Sequence, residues 1–156
     1  NNYGNLIQRI LSFICKNLDY SIDLTSKNFD FEILNNINSS EKELFALIEN
    51  YKFDEYLKKL FSFMSDLNNY VDKTAPWALK KTNPEEMRVV LANICLCIIR
   101  VTQFLSPFMP IKSREVFSLF NNLGEIDLCK FNNFKIIKDF KSLAINQPSP
   151  LFGKIE

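Results

Sequence analysis

Residues 83–110 read NPEEMRVVLANICLCIIRVTQFLSPFMP, and this stretch decides the fold. Asn83 is a good helix N-cap. Pro84 suits the first helical position, where its missing N–H would have no intrahelical partner anyway. Glu85 and Glu86 then meet the positive end of the helix dipole. From Met87 to Leu105 apolar residues occur on nearly every side, and a helix without a broad polar face has to be surrounded by other elements. This is the expected central helix, ended by Pro107 and Pro110. Its most apolar part, Val89 to Ile99, is bracketed by Arg88 and Arg100 and falls short of the ~20 residues a membrane span needs. A buried core helix, and no membrane contact, is the expectation.

The partners of that helix lie on both sides of it in the chain. Downstream, a helix is expected over about Lys112 to Leu123, with Gly124 as its C-terminal stop. Upstream, a helix over about Asp54 to Asp72 points Tyr56, Leu57, Leu60, Phe61, Phe63, Met64, Leu67 and Val71 inward. Ala75-Pro76-Trp77 interrupts it, since proline biases the residue before it away from helix, and a short helical turn through Leu79 to Lys81 follows. Ser40-Glu41-Lys42-Glu43 has the form of a capping box and opens a helix to about Tyr51. Asn2 to Asn17 is amphipathic, with Tyr3, Leu6, Ile7, Ile10, Leu11, Phe13 and Ile14 on one side and Asn5, Gln8, Arg9, Ser12 and Lys16 on the other. Residues 19–38 break periodicity and read as a long surface loop, pinned by Phe29, Phe31, Ile33 and Leu34. Residues 125–156 are less regular. The fold class expected is all-α: an antiparallel helix bundle over residues 1–124 with an irregular C-terminal tail over residues 125–156.

Composition narrows the chemistry. The 156 residues contain no His, so there is no histidine base, His-based triad or His metal ligand. The three Gly cannot build a phosphate-cradling loop. Cys95 and Cys97 are two apart on a helix and point about 160° away from each other, so they form no zinc knuckle and read as reduced, buried thiols. The chain by itself is expected to carry no catalytic residues and no metal. A net charge of +1 excludes a broad electrostatic grip on nucleic acid, which needs a clear basic excess. Any RNA contact has to be local. The polar N-terminus has no apolar signal segment, and a cytoplasmic location is expected. Asn1 starts the chain without an initiator Met and inside an apparent helix, which suggests an excised fragment or a processed start. Paired Asn residues read as a habit of composition, since Asn is a poor helix former.

Four segments, in order, resemble the methionyl-tRNA synthetase family. Gly4-Asn5-Leu6-Ile7-Gln8-Arg9 looks like the Gly-Asn-Leu-x-x-Arg stretch that opens the family's anticodon-binding domain. Tyr70-Val71-Asp72-Lys73-Thr74-Ala75-Pro76-Trp77 matches its Ala-Pro-Trp signature with the preceding Tyr-hydrophobic-Asp. Leu105-Ser106-Pro107-Phe108-Met109-Pro110 is similar to the Pro-Phe-Met-Pro after the central helix. Pro150-Leu151-Phe152-Gly153-Lys154-Ile155-Glu156 resembles the terminal Pro-Leu-Phe-Pro-Arg-Ile-Glu, with Gly153 and Lys154 as departures. Residues 19–68 agree only by helical pattern. Related class I synthetases share the bundle, and Ala-Pro-Trp is what points to methionine among them. The family's nucleotide-binding domain, with its His signature and Lys-Met-Ser-Lys-Ser loop, has no counterpart here.

The resemblance implies a C-terminal anticodon-binding domain that recognises the anticodon of methionine tRNA through Asn5, Arg9 and Trp77. It also implies a parent methionine–tRNA ligase whose separate catalytic domain uses ATP with Mg and, as an option, Zn. Residues 125–156 would then pack on the bundle or on that catalytic domain. The residues agree in part. Asn5 and Arg9 are four apart, about 40° around a helix, and an amide with a planar guanidinium can read the edge of a splayed cytosine. Trp77, after the proline break, can serve as a stacking platform, with Pro76 shaping its position. Lys80 and Lys81 are candidates for phosphate contact. Spacing alone also fits solvated helix-face residues at Asn5 and Arg9, a core Trp77 and a solvated helix end at Lys80 and Lys81. The alternative function is a helical protein-interaction domain that keeps the fold without RNA binding.

Overall fold

A computed structural model describes residues 2–26, 31–137 and 139–150. Its helices are α1 (Asn2–Asn17), α2 (Glu32–Ser39), α3 (Glu41–Glu49), α4 (Phe53–Thr74), α5 (Pro76–Thr82), α6 (Pro84–Leu105), α7 (Pro110–Ser118) and α8 (Phe134–Ile137). Two short strands, β1 (Ser21–Asp23) and β2 (Ser142–Ala144), pair antiparallel with Ile22 opposite Leu143. The architecture is all-α, as expected, and its centre is α6.

That helix folds as its sequence dictates. The Asn83 side chain accepts a hydrogen bond from the Glu86 backbone N–H at 3.2 Å, and Pro84 occupies the first turn. With 22 residues it is long and apolar enough to cross a membrane, but 89% of its apolar window is buried inside the bundle. Helices α2, α4, α5 and α7 all pack on it. Two tyrosines set the orientation of its other neighbours. The Tyr3 hydroxyl donates to the Ile98 carbonyl at 3.0 Å and contacts Thr102 Oγ1. The Tyr56 hydroxyl donates to the Phe104 carbonyl. These contacts place the beginnings of α1 and α4 level with the end of α6, so both run antiparallel to it and alongside each other in one direction. Burial raises both tyrosine hydroxyls above the usual phenol range. It does the same to the buried thiols of Cys95 and Cys97, which are unpaired, as is buried Cys15.

Arg100 does not bracket the apolar run at its surface; it is buried inside the bundle at 4% exposure. Its fork donates to Asn38 Oδ1, Gln103 Oε1, the Phe131 carbonyl and Glu41 Oε2, all at 2.8–3.0 Å. Its flat faces lie over the rings of Phe104 and Phe134. A buried cation is tolerable only when its donors are matched in this way. Burial pulls its pKa down, and Glu41 pushes it back up. One side chain therefore ties together α2, α3, α6 and the segment after α7.

Several expectations are corrected. Residues 19–38 are not one long loop: they contain β1 and α2, and α2 puts Leu34 and Ile37 into the core while Phe31 is buried just before it. Phe29 lies outside the described residues. The capping box at Ser40 does not form, because α2 runs almost directly into α3 and leaves Ser40 in a helical conformation. Its hydroxyl turns back to the Asn36 carbonyl at 2.8 Å, and Glu43 instead pairs with Lys59 at 3.0 Å. Phe61 points outward at 58% exposure. The turn after the proline break is longer than expected, running from Pro76 to Thr82. Pro110 starts α7 rather than merely ending α6, and α7 stops at Ser118. Gly124 has a right-handed backbone at the end of a 3-10 turn, so no left-handed stop is made there.

The described residues after Gly124 are held to the bundle by specific contacts. Leu128, Phe134, Ile137, Leu143 and Ile145 belong to the same core as the helices. Asn122 accepts from Ala144 N and donates to the Ser142 carbonyl, and Asn146 donates to the Ser118 carbonyl. With Asn83 and Asn38, these show that Asn is placed here for caps and ties and is more than a habit of composition. The motif at residues 150–156 lies outside the described residues except for Pro150.

Candidate RNA-binding site

The site candidates meet where α1, the end of α4 and the start of α5 converge. The amphipathic pattern of α1 buries Leu6, Ile7 and Ile10 and leaves Asn5 and Arg9 exposed, one turn apart. Helix α4 ends at Ala75, whose backbone is left-handed (φ 42°, ψ 70°) because Pro76 excludes the helical conformation at the residue before it. The helix breaks there and the chain restarts as α5, with Pro76 buried at its first turn. Trp77 follows immediately and is 38% exposed, unusual for the most area-rich apolar side chain.

The Arg9 guanidinium carbon lies 5.0 Å from the Trp77 ring centroid. Its Nη2 is 3.5 Å from Asp72 Oδ1, at the end of α4. Half-exposed on both sides, that ion pair contributes at most about 1 kcal/mol. Its main effect is geometric: indole and carboxylate hold the fork in place while most of its N–H donors stay free. Asn5 has no side-chain partner among the described residues. Lys80, on the next turn of α5, donates to Asn17 Oδ1 at 2.7 Å and so braces α5 against the end of α1. Lys81 is exposed.

Asn5 and Arg9 also line an open cleft of about 730 Å³ between α1 and α4. Its other walls include Asn2, Ser65, Asn68 and Asp72, with Phe61 at the far end. The cleft is rich in amides, which donate and accept from one group, and among the described residues Arg9 is its one cation. Such a surface suits the edges and flat faces of nucleobases better than a run of phosphates. Among the described residues no group of three His, Cys, Asp or Glu side chains could hold a metal ion. The described residues thus offer no cluster that fits the Mg or Zn associated with the resemblance.

All three predicted readers, Asn5, Arg9 and Trp77, fall on one side of the bundle, with Pro76 buried just before Trp77 in the chain. Lys80 is engaged within the chain, and Lys81 stands apart in solvent. Sequence reasoning missed Asp72, Asn17 and Phe61. Asp72 carried a signal, since it sits in the Tyr70-Val71-Asp72 motif. Asn17 and Phe61 carried none, because their positions depend on how helices distant in the chain are packed.

Comparison with known proteins finds relatives of this fold. The family described as "Anticodon-binding domain of tRNA ligase" matches residues 30–147, about three quarters of the chain. A methionine–tRNA ligase of Streptococcus pneumoniae is 27% identical over 155 residues, covering 99% of this chain and 27% of the relative. One from Rickettsia bellii is 33% identical over 115 residues, covering 70% of this chain and 23% of the relative. The structure of apo methionyl-tRNA synthetase from Mycobacterium tuberculosis superposes with a TM-score of 0.79 at 18% identity, over 100% of this chain and 32% of that one; at that identity the likeness concerns the fold. The chain thus spans about a third or less of the length of the proteins it matches, in their C-terminal part. It belongs to the family of anticodon-binding domains of tRNA ligases, and the methionine–tRNA ligases are relatives it matches along its whole length.

Proposed function

We propose that this chain reads the anticodon of a methionine-accepting tRNA as part of a methionine–tRNA ligase. The observation that carries the reading is the Arg9 guanidinium 5.0 Å from the Trp77 ring, with Asn5 one turn away on the same exposed face. A base unstacked from the anticodon loop lies on or beside the indole, and its Watson–Crick edge meets the Arg9 fork and the Asn5 amide. The energy is local, which suits a net charge of +1. Lys81, and the donors Lys80 has left over, add phosphate contacts at the rim. In this reading the cytoplasmic parent joins methionine to tRNA using ATP, with Mg and optionally Zn, in a separate catalytic domain; the chain described here contributes recognition alone.

Trp77 is the only tryptophan, so its fluorescence reports on the site without labels. Titration with the anticodon stem-loop of methionine tRNA is expected to change its emission, with weak affinity because acceptor-stem contacts are lacking. The paired change Asn5→Ala and Arg9→Ala abolishes the response. No response in the unmodified chain at tens of micromolar would favour a protein-interaction domain. A response that survives the paired change would move the site elsewhere.

A further inference from the structure

We propose that Phe61 is a second stacking platform, taking a further nucleotide of the anticodon loop beyond the one held at Trp77. The inference rests on the anticodon-reading function proposed above and extends it along the cleft. Helix α4 sends Leu60, Phe63, Met64, Leu67 and Val71 into the core, yet leaves Phe61 58% exposed. At roughly 100° per residue, Phe61, Ser65, Asn68 and Asp72 fall within about 60° of one another and form one stripe. That stripe is the α4 wall of the cleft, and Asn2, Asn5 and Arg9 belong to the wall from α1.

Eleven residues of helix separate Phe61 from Asp72, so the floor extends about 16 Å from the Arg9–Asp72 pair to the phenyl ring. A single base cannot fill that length. The occupant is narrowed by the lining. Several amides and a serine hydroxyl, with one cation already shared with Asp72, do not suit a lipid or an amphipathic helix. A phosphate track would need more Lys and Arg than Arg9 alone. What remains is a short single strand whose bases lie inward: edges against Asn2, Asn5, Asn68 and Asn69, and a flat face on Phe61. Asn68 uses its amide N–H₂ on the Met64 carbonyl, which leaves its oxygen to accept from a base amino group.

The test is a stem-loop titration of the full chain carrying Phe61→Ala, Phe61→Leu or Phe61→Tyr, read by Trp77 fluorescence. Phe61→Ala and Phe61→Leu are expected to weaken binding roughly five- to a hundredfold, the range for one stacked base, while Phe61→Tyr restores it. At saturating RNA the Trp77 response persists in every variant, since that platform is untouched. Stem-loops made abasic at one anticodon-loop position at a time identify the base. Its removal weakens the unmodified chain and costs the Phe61→Ala variant nothing further. Circular dichroism is expected to be unchanged throughout, Phe61 being outside the core.

Equal binding by all four proteins would overturn the proposal while leaving the Trp77 reading intact. So would a loss in Phe61→Ala that Phe61→Leu repairs, since simple apolar packing would then suffice. Absence of any Trp77 response in the unmodified chain is the distinct result that overturns the underlying reading.

Discussion

Lys80 Nζ donates to Asn17 Oδ1 at 2.7 Å and links the short helix α5 to the end of α1. The two helices carry opposite halves of the candidate site, Trp77 on α5 and Arg9 on α1. Asn17 is itself fixed by donating to the Phe13 carbonyl at 2.9 Å. A surface contact of this kind adds little to stability, but it restrains how α5 sits on α1.

Lys80→Ala and Asn17→Ala are therefore expected to leave the melting temperature nearly unchanged and to weaken stem-loop binding a few-fold each. Because they break one contact, the double variant should be no worse than either single one. A fluorescence titration of the four proteins checks this. Additive losses would show that Lys80 acts on phosphate alone.

The Arg100–Glu41 and Arg9–Asp72 pairs should differ sharply in energetic weight. Arg100 is enclosed, and Arg100→Ala strands Glu41, the Asn38 and Gln103 side-chain oxygens and the Phe131 carbonyl together. A loss of about 3–5 kcal/mol is expected, as for breaking a buried pair. Asp72→Asn, at a pair exposed on both sides, should cost under about 1 kcal/mol. Urea unfolding of the two variants decides the order.

Stability should fall on the alkaline side. Tyr3, Tyr56, Cys95 and Cys97 all have folded pKa values raised by burial. For an acid raised in the folded state, the stabilisation is complete below its unfolded value and is lost as pH climbs through the folded one. The ordinary values are 9.0 for the thiols and 10.0 for the phenols. The melting temperature should therefore show no loss from these groups at neutral pH and decline from about pH 9 upward. Cys95→Ala with Cys97→Ala should delay the onset, which thermal denaturation between pH 7 and 11 would detect.

Ala75 occupies a conformation that costs an L-residue about 1–2 kcal/mol. Ala75→Gly relieves that cost but loosens the unfolded chain by about 0.4–1 kcal/mol, so a small net stabilisation is expected. Ala75→Val, β-branched at positive φ, should destabilise by more than 1 kcal/mol. It should also disturb Trp77, giving a shifted emission maximum without RNA.

How much could be read ahead of the structure depended on whether a feature is local. The Asn83 cap, the proline break at Pro76, the apolar face of α1 and the burial of α6 all follow from neighbours within one or two turns. The Ser40 capping box failed because its signature is local but its cancellation is not: α2 arrives immediately upstream and leaves Ser40 helical. Helix α2 was obscured by its Asn-rich sequence, and its stability comes from Leu34 and Ile37 docking in the core. Phe61 sits at the edge of an apolar stripe, where helical periodicity does not separate inside from outside.

From the order of its residues alone, this protein is committed to helices around one apolar axis, with Asn5 and Arg9 on a polar face and Trp77 after a break. Those properties follow from short-range sterics, capping and periodicity. Tertiary structure decided that the guanidinium lies over the indole, that Arg100 is enclosed, and that an amide-lined cleft opens between α1 and α4. Each joins residues dozens of positions apart, and their meeting depends on how helices pack, which no local pattern encodes.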